Sequence, residues 1–186
     1  MRIIAGEFRS RVILAPRGDT TRPITDRVKQ SLFDILTPHL EGARVYDCFA
    51  GTGSMGLECL SRGASHVTFF EADRSAVTLL KKNIDSLNVR DRSTVIDRDL
   101  FKWFDAANPS QKAGLVFLDP PYRFLRERPE DLRRVASRLQ EHLNPEGIVV
   151  FRHDANDQLD LGPLVCSDRR DYGGMTIELL TPKPAT

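Results

Sequence analysis

Three carboxylates and one stiff loop carry most of the chemistry available to this sequence. In the stretch DCFAGTGSMG, Gly51, Gly53 and Gly56 stand at the G-x-G-x-x-G spacing. Without Cβ atoms the backbone can turn sharply and approach a ligand, leading into a helix whose first amides are open. Asp47 precedes Gly51 by four residues and Glu71 follows it by twenty. A carboxylate at that second offset suits the two hydroxyls of an adenosine ribose. The plainer alternative is a surface acid paired with Arg74. Farther on, Asp119, Pro120, Pro121 and Tyr122 follow the apolar run GLVFL. Two prolines stiffen that loop and remove N–H donors, so it presents the Asp119 carboxylate and backbone carbonyls as acceptors, with Tyr122 as a stacking face. Such a loop suits a planar group with an exocyclic NH2. The competing reading is a simple turn after a strand. A pyrophosphate would be repelled by Asp47, whereas a sulfonium or ammonium would not. The cofactor expected is therefore S-adenosylmethionine rather than a nicotinamide dinucleotide.

These residues need elements to hold them in place. RIIAGEFRSRVIL reads as two short strands around a Gly-containing turn, and PRGDTTRP as a loop. A helix follows from about Thr25, with Thr25 or Asp26 as its cap and Val28, Leu32, Ile35 and Leu36 as its apolar stripe. Strand RVYDCF then enters the glycine loop, and helix SMGLECLSRG closes at Gly63. HVTFFEAD, STVID, GLVFLD and GIVVFR read as strands, separated by helices RSAVTLLKKNIDSLN, DLFKWFDAA and PEDLRRVASRLQEHL. GLVFLD is nearly all apolar, as in a strand covered on both faces. PLVCSD and MTIELL, joined by RRDYGG, are close enough to pair as an antiparallel hairpin. The alternation predicts an α/β fold, a doubly wound, mostly parallel sheet, as one domain over residues 1–186 with a basic arm at 1–24. Ligands in such sheets sit beyond the carboxyl ends of the strands, where all three loops fall.

Composition narrows the partners. Cys48, Cys59 and Cys166 form no C-x-x-C, and His39, His66, His142 and His153 show no metal-ligand spacing, so reduced thiols and no metal are expected. No apolar run approaches the roughly 20 residues of a membrane span, and MRIIAGEFRSR lacks a signal-peptide core, so a cytoplasmic protein is expected. The net charge is only +1, yet residues 1–30 hold seven Arg/Lys against three acids, and 123–138 six arginines against three. Such patches suit a polyanion, although a solvated face is as good a reading from charge alone.

Taken together, the chain resembles class I, Rossmann-like S-adenosylmethionine-dependent methyltransferases, and within them the RsmD family, which methylates guanine N2 in 16S ribosomal RNA. The opening MRIIAGEFRSR, TRPITDRVKQSLFDIL, DCFAGTGSMGLECLSRGA, EAD, LDPPY and DYGG carry the likeness over nearly the whole length. DPPY marks many amino methyltransferases; RP-x-TDRV narrows the match. The resemblance implies that Asp47 and the backbone of Phe49, Gly51 and Gly53 hold the methionine part of the cofactor. Glu71 takes the ribose, Ala72 lies beside the adenine, and Asp99 and Leu100 read the adenine amine. Asp119 to Tyr122 bind the target base. It also implies an rRNA partner, within a small-subunit assembly particle, met by Arg2, Arg9, Arg11, Arg22, Arg27, Arg123, Arg126 and Arg128. Arg22 and Arg27 have a second reading, as residues that order the cofactor pocket. A monomer is expected. Two departures stand out. Ile24 occupies a position commonly held by Thr, and Arg152–His153–Asp154 falls where an acid is expected, which leaves that loop without a role. An amino methyltransferase acting on DNA adenine or protein glutamine is the runner-up. A non-catalytic RNA-binding module is the reading from a different class.

Overall fold

Where the period along the chain alternates between two and 3.6, the structure alternates strand and helix around one sheet. The structure is a computed structural model and describes residues 1–16, 24–107 and 111–183. Helix α1 (Asp26–Leu36) is followed by β1 (Arg44–Cys48), α2 (Ser54–Ser61), β2 (His66–Phe70), α3 (Arg74–Ser86) and β3 (Ser93–Ile96). The chain continues through α4 (Leu100–Ala106), β4 (Ala113–Leu118), α5 (Phe124–Glu127), α6 (Pro129–His142), β5 (Leu143–Asp154), β6 (Leu164–Tyr172) and β7 (Met175–Pro182). The strands lie in the order β3-β2-β1-β4-β5-β7-β6. The first five are parallel, and β7 runs antiparallel to both its neighbours. The order reverses direction between β1 and β4, which opens a crevice at their carboxyl ends.

Side-chain alternation sorts the core into two layers. Val45, Val67, Phe69, Leu115, Phe117, Val150 and Ile177 face α1, α2 and α3. Tyr46, Phe70, Val116, Leu118, Val149 and Phe151 face α4, α5 and α6. β4 is buried on both faces, as its unbroken apolar run predicts.

Several boundaries differ from the sequence reading. The arm forms a single antiparallel bridge, Arg2 to Val12, in place of two strands. Three of its intervening amides are claimed by side chains of α2: Ile4 and Ala5 donate to the Glu58 carboxylate at 2.8 and 3.0 Å, and Phe8 donates to Ser61 Oγ at 2.9 Å. The C-terminal hairpin is longer than predicted, with strand pairing as far as Tyr172 against Met175 across Gly173–Gly174. Thr25 caps α1, its Oγ1 accepting from the Val28 amide at 3.3 Å. The stripe that α1 buries is Lys29, Leu32, Phe33 and Leu36, one step round from the predicted one. Among the described residues no helix is long and apolar enough to cross a membrane. Arg22 and the TRP before Ile24 lie outside the described residues.

Candidate active site

Each site residue owes its position to an element end. β1 delivers Asp47 on the same face as Val45, and that alternation continues from Phe117 in β4 to Asp119 and from Val150 in β5 to Arg152. Two acids and a guanidinium therefore share one side of the crevice.

Asp47 is buried, with only 2% of its surface exposed, and its Oδ2 accepts the Gly56 amide at 2.8 Å. Burial pushes its carboxyl up to about 8. The Gly56 amide opposes that shift, and the charges of Asp119 and Glu71 add to it. The glycines then divide into two roles. A Cβ on Gly51, at φ +56, would meet nothing within 4 Å, so open space lies before it. A Cβ on Gly53 would come within 2.5 Å of Leu80 Cδ1, and one on Gly56 within 2.3 Å of Phe69 Cε1. Gly53 and Gly56 thus let α2 pack closely on α3 and β2, and the Gly56 amide is already committed to Asp47. Sequence spacing alone groups all three as ligand contacts; the structure leaves Gly51 facing the opening.

Phe49 sits at φ +63, uncommon for a bulky residue, and is braced edge-on by Phe124 and tilted against Phe101. Glu71 accepts the Gly51 amide through Oε2 at 2.7 Å and the Asp73 amide through Oε1 at 2.8 Å. Its carboxylate is thereby fixed at the mouth of the glycine loop, with a further lone pair on each oxygen. Ala72 is exposed beside it. Asp99 caps α4, its Oδ1 taking the Phe101 amide at 2.8 Å, while Leu100 is buried. Asp99 thus has a structural task. The half-buried Glu71, the open space at Gly51 and the exposed Ala72 lie together where β1 and β2 end.

Asp119 binds Arg152 in a fork, with Nε to Oδ1 at 2.7 Å and Nη2 to Oδ2 at 2.5 Å. Pro120 is buried, Pro121 exposed and Tyr122 half-buried. Arg152–His153–Asp154, read from the sequence as a loop, is the end of β5 and pairs with β7, and the Arg–Asp pair gives Arg152 a place in the site that the sequence left open. Asp119 has a cationic neighbour, where the sequence reading had it as an open acceptor.

The arginines named as RNA contacts have varied surroundings. Arg9 and Arg27 are exposed, and neither side chain makes a hydrogen bond or ion pair among the described residues. Arg2 pairs with Asp26 at 2.8 Å, and Arg11 donates to the Ser86 carbonyl at 2.8 Å. Arg123 faces Glu127 and Arg126 pairs with Asp157, both at the surface. Arg128 bonds Asp131 at 2.6 Å and lies 4.0 Å over the Phe101 ring. It is folded back on the protein and braces the aromatic wall.

Two buried polar bridges escaped the sequence reading. Lys29, counted there in the basic charge of residues 1–30, donates to the Ser54 carbonyl at 2.8 Å and pairs with Glu58 at 2.9 Å, both side chains at most 2% exposed. Its signal was available: positions 29, 32, 33 and 36 follow the spacing of a buried helix face. Asn83 of α3 accepts the Leu14 amide and donates to the carbonyls of Leu14 and Thr52, tying the arm to the glycine loop. Nothing in the local sequence marks it.

The sheet order with its reversed seventh strand, joined to this glycine loop with Glu71 at the next strand end, is that of a class I, Rossmann-like methyltransferase fold. Comparison narrows the class. Residues 1–181 match the family described as Conserved hypothetical protein 95. A Bacillus subtilis protein named "Putative rRNA methyltransferase YlbH" is 34% identical over 179 residues, covering 93% of this chain and 94% of its own. "Ribosomal RNA small subunit methyltransferase D" of Escherichia coli K12 is 38% identical over 123 residues, covering 66% of this chain and 61% of that protein. The solved structure titled "Putative methyltransferase yhhF from Escherichia coli" superposes with a TM-score of 0.85 at 30% identity, covering 100% of this chain and 99% of that one. The chain belongs to this family, the RsmD family of S-adenosylmethionine-dependent rRNA methyltransferases.

Proposed function

We propose that the protein transfers a methyl group from S-adenosylmethionine to the exocyclic 2-amino group of a guanine in small-subunit ribosomal RNA. One observation carries this reading: neighbouring strands β1 and β4 bring Asp119, the first residue of the acceptor loop, close enough to Asp47 for its charge to help raise the Asp47 carboxyl. When bound, the cofactor supplies an electrophilic methyl on a sulfonium. The chain's own residues have to hold, aim and shield. Gly51, Phe49 and Asp47 bound the methionine end, Glu71 takes the ribose hydroxyls, and Asp99 with Leu100 borders the adenine.

A guanine 2-amino nitrogen is a poor nucleophile because its lone pair is delocalised into the ring. Each Asp119 oxygen gives one lone pair to Arg152 and keeps another, and one of these accepts an N–H of the amine. The Pro120 carbonyl takes the second N–H. Held by both hydrogens, the nitrogen turns its remaining lone pair toward the methyl, and Tyr122 stacks on the base to fix the in-line angle. The gain is orientation and fixed charge, with no covalent enzyme intermediate. The methylated nitrogen then releases one proton, to Asp119 or to water. A base reaches this crevice only if unpaired or flipped. The names of the relatives support rRNA as substrate, and the exposed Arg9 and Arg27 suit its phosphates.

The test is a nucleoside digest, read by mass spectrometry, of small-subunit rRNA incubated with the protein and S-adenosylmethionine. N2-methylguanosine is the expected product. A methylated adenosine, or methyl transfer to protein glutamine alone, would replace this reading with the runner-up.

A further inference from the structure

The acceptor loop has a partner that base binding as described leaves half-used. Arg152 and Asp119 are 17% and 20% exposed at their side chains, so their fork is mostly shielded from water. Nε and Nη2 engage the two carboxylate oxygens. The third nitrogen, Nη1, has only the Met175 thioether, at 3.7 Å, as a hydrogen-bonding neighbour among the described residues. A thioether is a weak acceptor, and a shielded cationic donor without a good one is costly. An ion pair built only to hold Asp119 has no need of Nη1 in that place. Ile24, Met55, Val150 and Ile177 pack beside the pair and leave a gap of only about 10 Å³ between them, so they shield it without forming a ligand pocket.

Base chemistry identifies what would complete it. Along one edge, guanine presents the 2-amine, the N1–H and the O6 carbonyl in a row: donor, donor, acceptor. A carboxylate meets the first two, and a guanidinium nitrogen extending past the carboxylate meets the third. Adenine carries its amine between two ring acceptors and has no carbonyl. Cytosine has an amine and a carbonyl, but the ring nitrogen between them is an acceptor and would face Asp119 with like polarity. Building on the function proposed above, we propose that Arg152 is a specificity-determining residue. It donates from Nη1 to the O6 of the target guanine, while Asp119 holds the amine.

The test is a cycle of enzyme and base. Small-subunit rRNA is assembled by ligation with guanine or 2-aminopurine at the position found methylated; 2-aminopurine keeps the reacting amine, lacks O6 and also has a bare N1, a loss at Asp119 that all three proteins share and that cancels between them. Single-turnover methyl transfer is measured for the wild type, Arg152→Met and Arg152→Lys. Lysine keeps a cation beside Asp119 without the third nitrogen, and calorimetry of S-adenosylmethionine binding checks that each variant is folded. For the wild type, loss of a hydrogen bond from a charged donor predicts a penalty of about 10–100-fold on replacing guanine. In both variants that penalty should shrink at least about tenfold, because the hydrogen bond it reports is already gone. Equal penalties in all three proteins would overturn this inference alone and leave Arg152 as a support for Asp119. No transfer to guanine RNA by the wild type would overturn the proposed function, and this inference with it.

Discussion

Asp47 is held in the glycine loop by one amide hydrogen bond, and burial raises its carboxyl to about 8. That shift has a sign that can be worked through. The unfolded value is the lower one, so between about pH 4 and pH 8 the folded, ligand-free protein holds more protons than the unfolded chain, and this residue's contribution to stability falls as pH rises. Cationic groups brought beside Asp47 by the cofactor would favour its ionised form, so binding should release a proton. The expected outcome is an S-adenosylmethionine affinity that rises from pH 6 toward 8, with proton release seen by calorimetry in buffers of different ionisation enthalpy. Asp47→Asn should lose this extra release; comparing it with the wild type cancels the ligand's own titration. Identical proton release in both proteins would move the cationic groups away from Asp47. The sequence showed this acid and its spacing but not its depth. A carboxylate at a strand end is solvated or buried according to which helix covers it, and α2 is brought onto this one by the missing Cβ atoms of Gly53 and Gly56.

Helix α2 joins three parts of the molecule. Its Ser54 and Glu58 hold Lys29 of α1, and its Glu58 and Ser61 hold the arm. Burial alone would raise the Glu58 carboxyl, but Lys29, the arm amide and Arg62 outweigh it and hold the group below the usual range. Burial likewise lowers the Lys29 ammonium more than Glu58 can restore. Removing one partner strands the other's charge without solvent. Glu58→Ala should therefore cost about 3–5 kcal/mol in denaturant unfolding. The double variant Lys29→Met/Glu58→Leu, which removes the buried ammonium along with its acid and leaves Arg62 with Gln30, should lose less than Glu58→Ala does. A double variant as unstable as the single would show that the arm's unsatisfied amides matter more than the ion pair. The helices themselves were legible in the sequence, but this network was only partly so. Lys29 lies on the apolar spacing of α1, yet a lysine there reads as a surface residue unless a buried acid is known to face it. Glu58 gives no pattern, because α2 is buried on nearly every side.

At the scale of the whole molecule, the doubly wound, mostly parallel sheet followed from strand and helix alternation because a right-handed crossover leaves few other arrangements. The arm was harder to read. Its amides pair with side chains more than fifty residues away, and no local period records such pairings. The charge asymmetry was legible, but which arginines remain available depended on the fold: Arg128 is stacked on Phe101 and Arg126 is paired, whereas Arg9 and Arg27 are exposed. The double substitution of Arg9 and Arg27 to Glu should weaken binding to small-subunit rRNA. It should also flatten the dependence of log affinity on log salt by about 0.7–0.9 for each phosphate that is no longer neutralised. An unchanged slope would take both residues out of the interface.

The account rests on a crevice in which the carboxylate after β4 holds an amine against the donated methyl. Its most direct measurement is single-turnover methyl transfer to small-subunit rRNA by Asp119→Ala, with S-adenosylmethionine affinity determined on the same preparation. The prediction is a rate lower by about a hundredfold or more, in line with loss of a fixed group from the site of charge development, and an affinity within about a factor of a few of the wild type. Transfer at the wild-type rate by a variant that still binds the cofactor would contradict it.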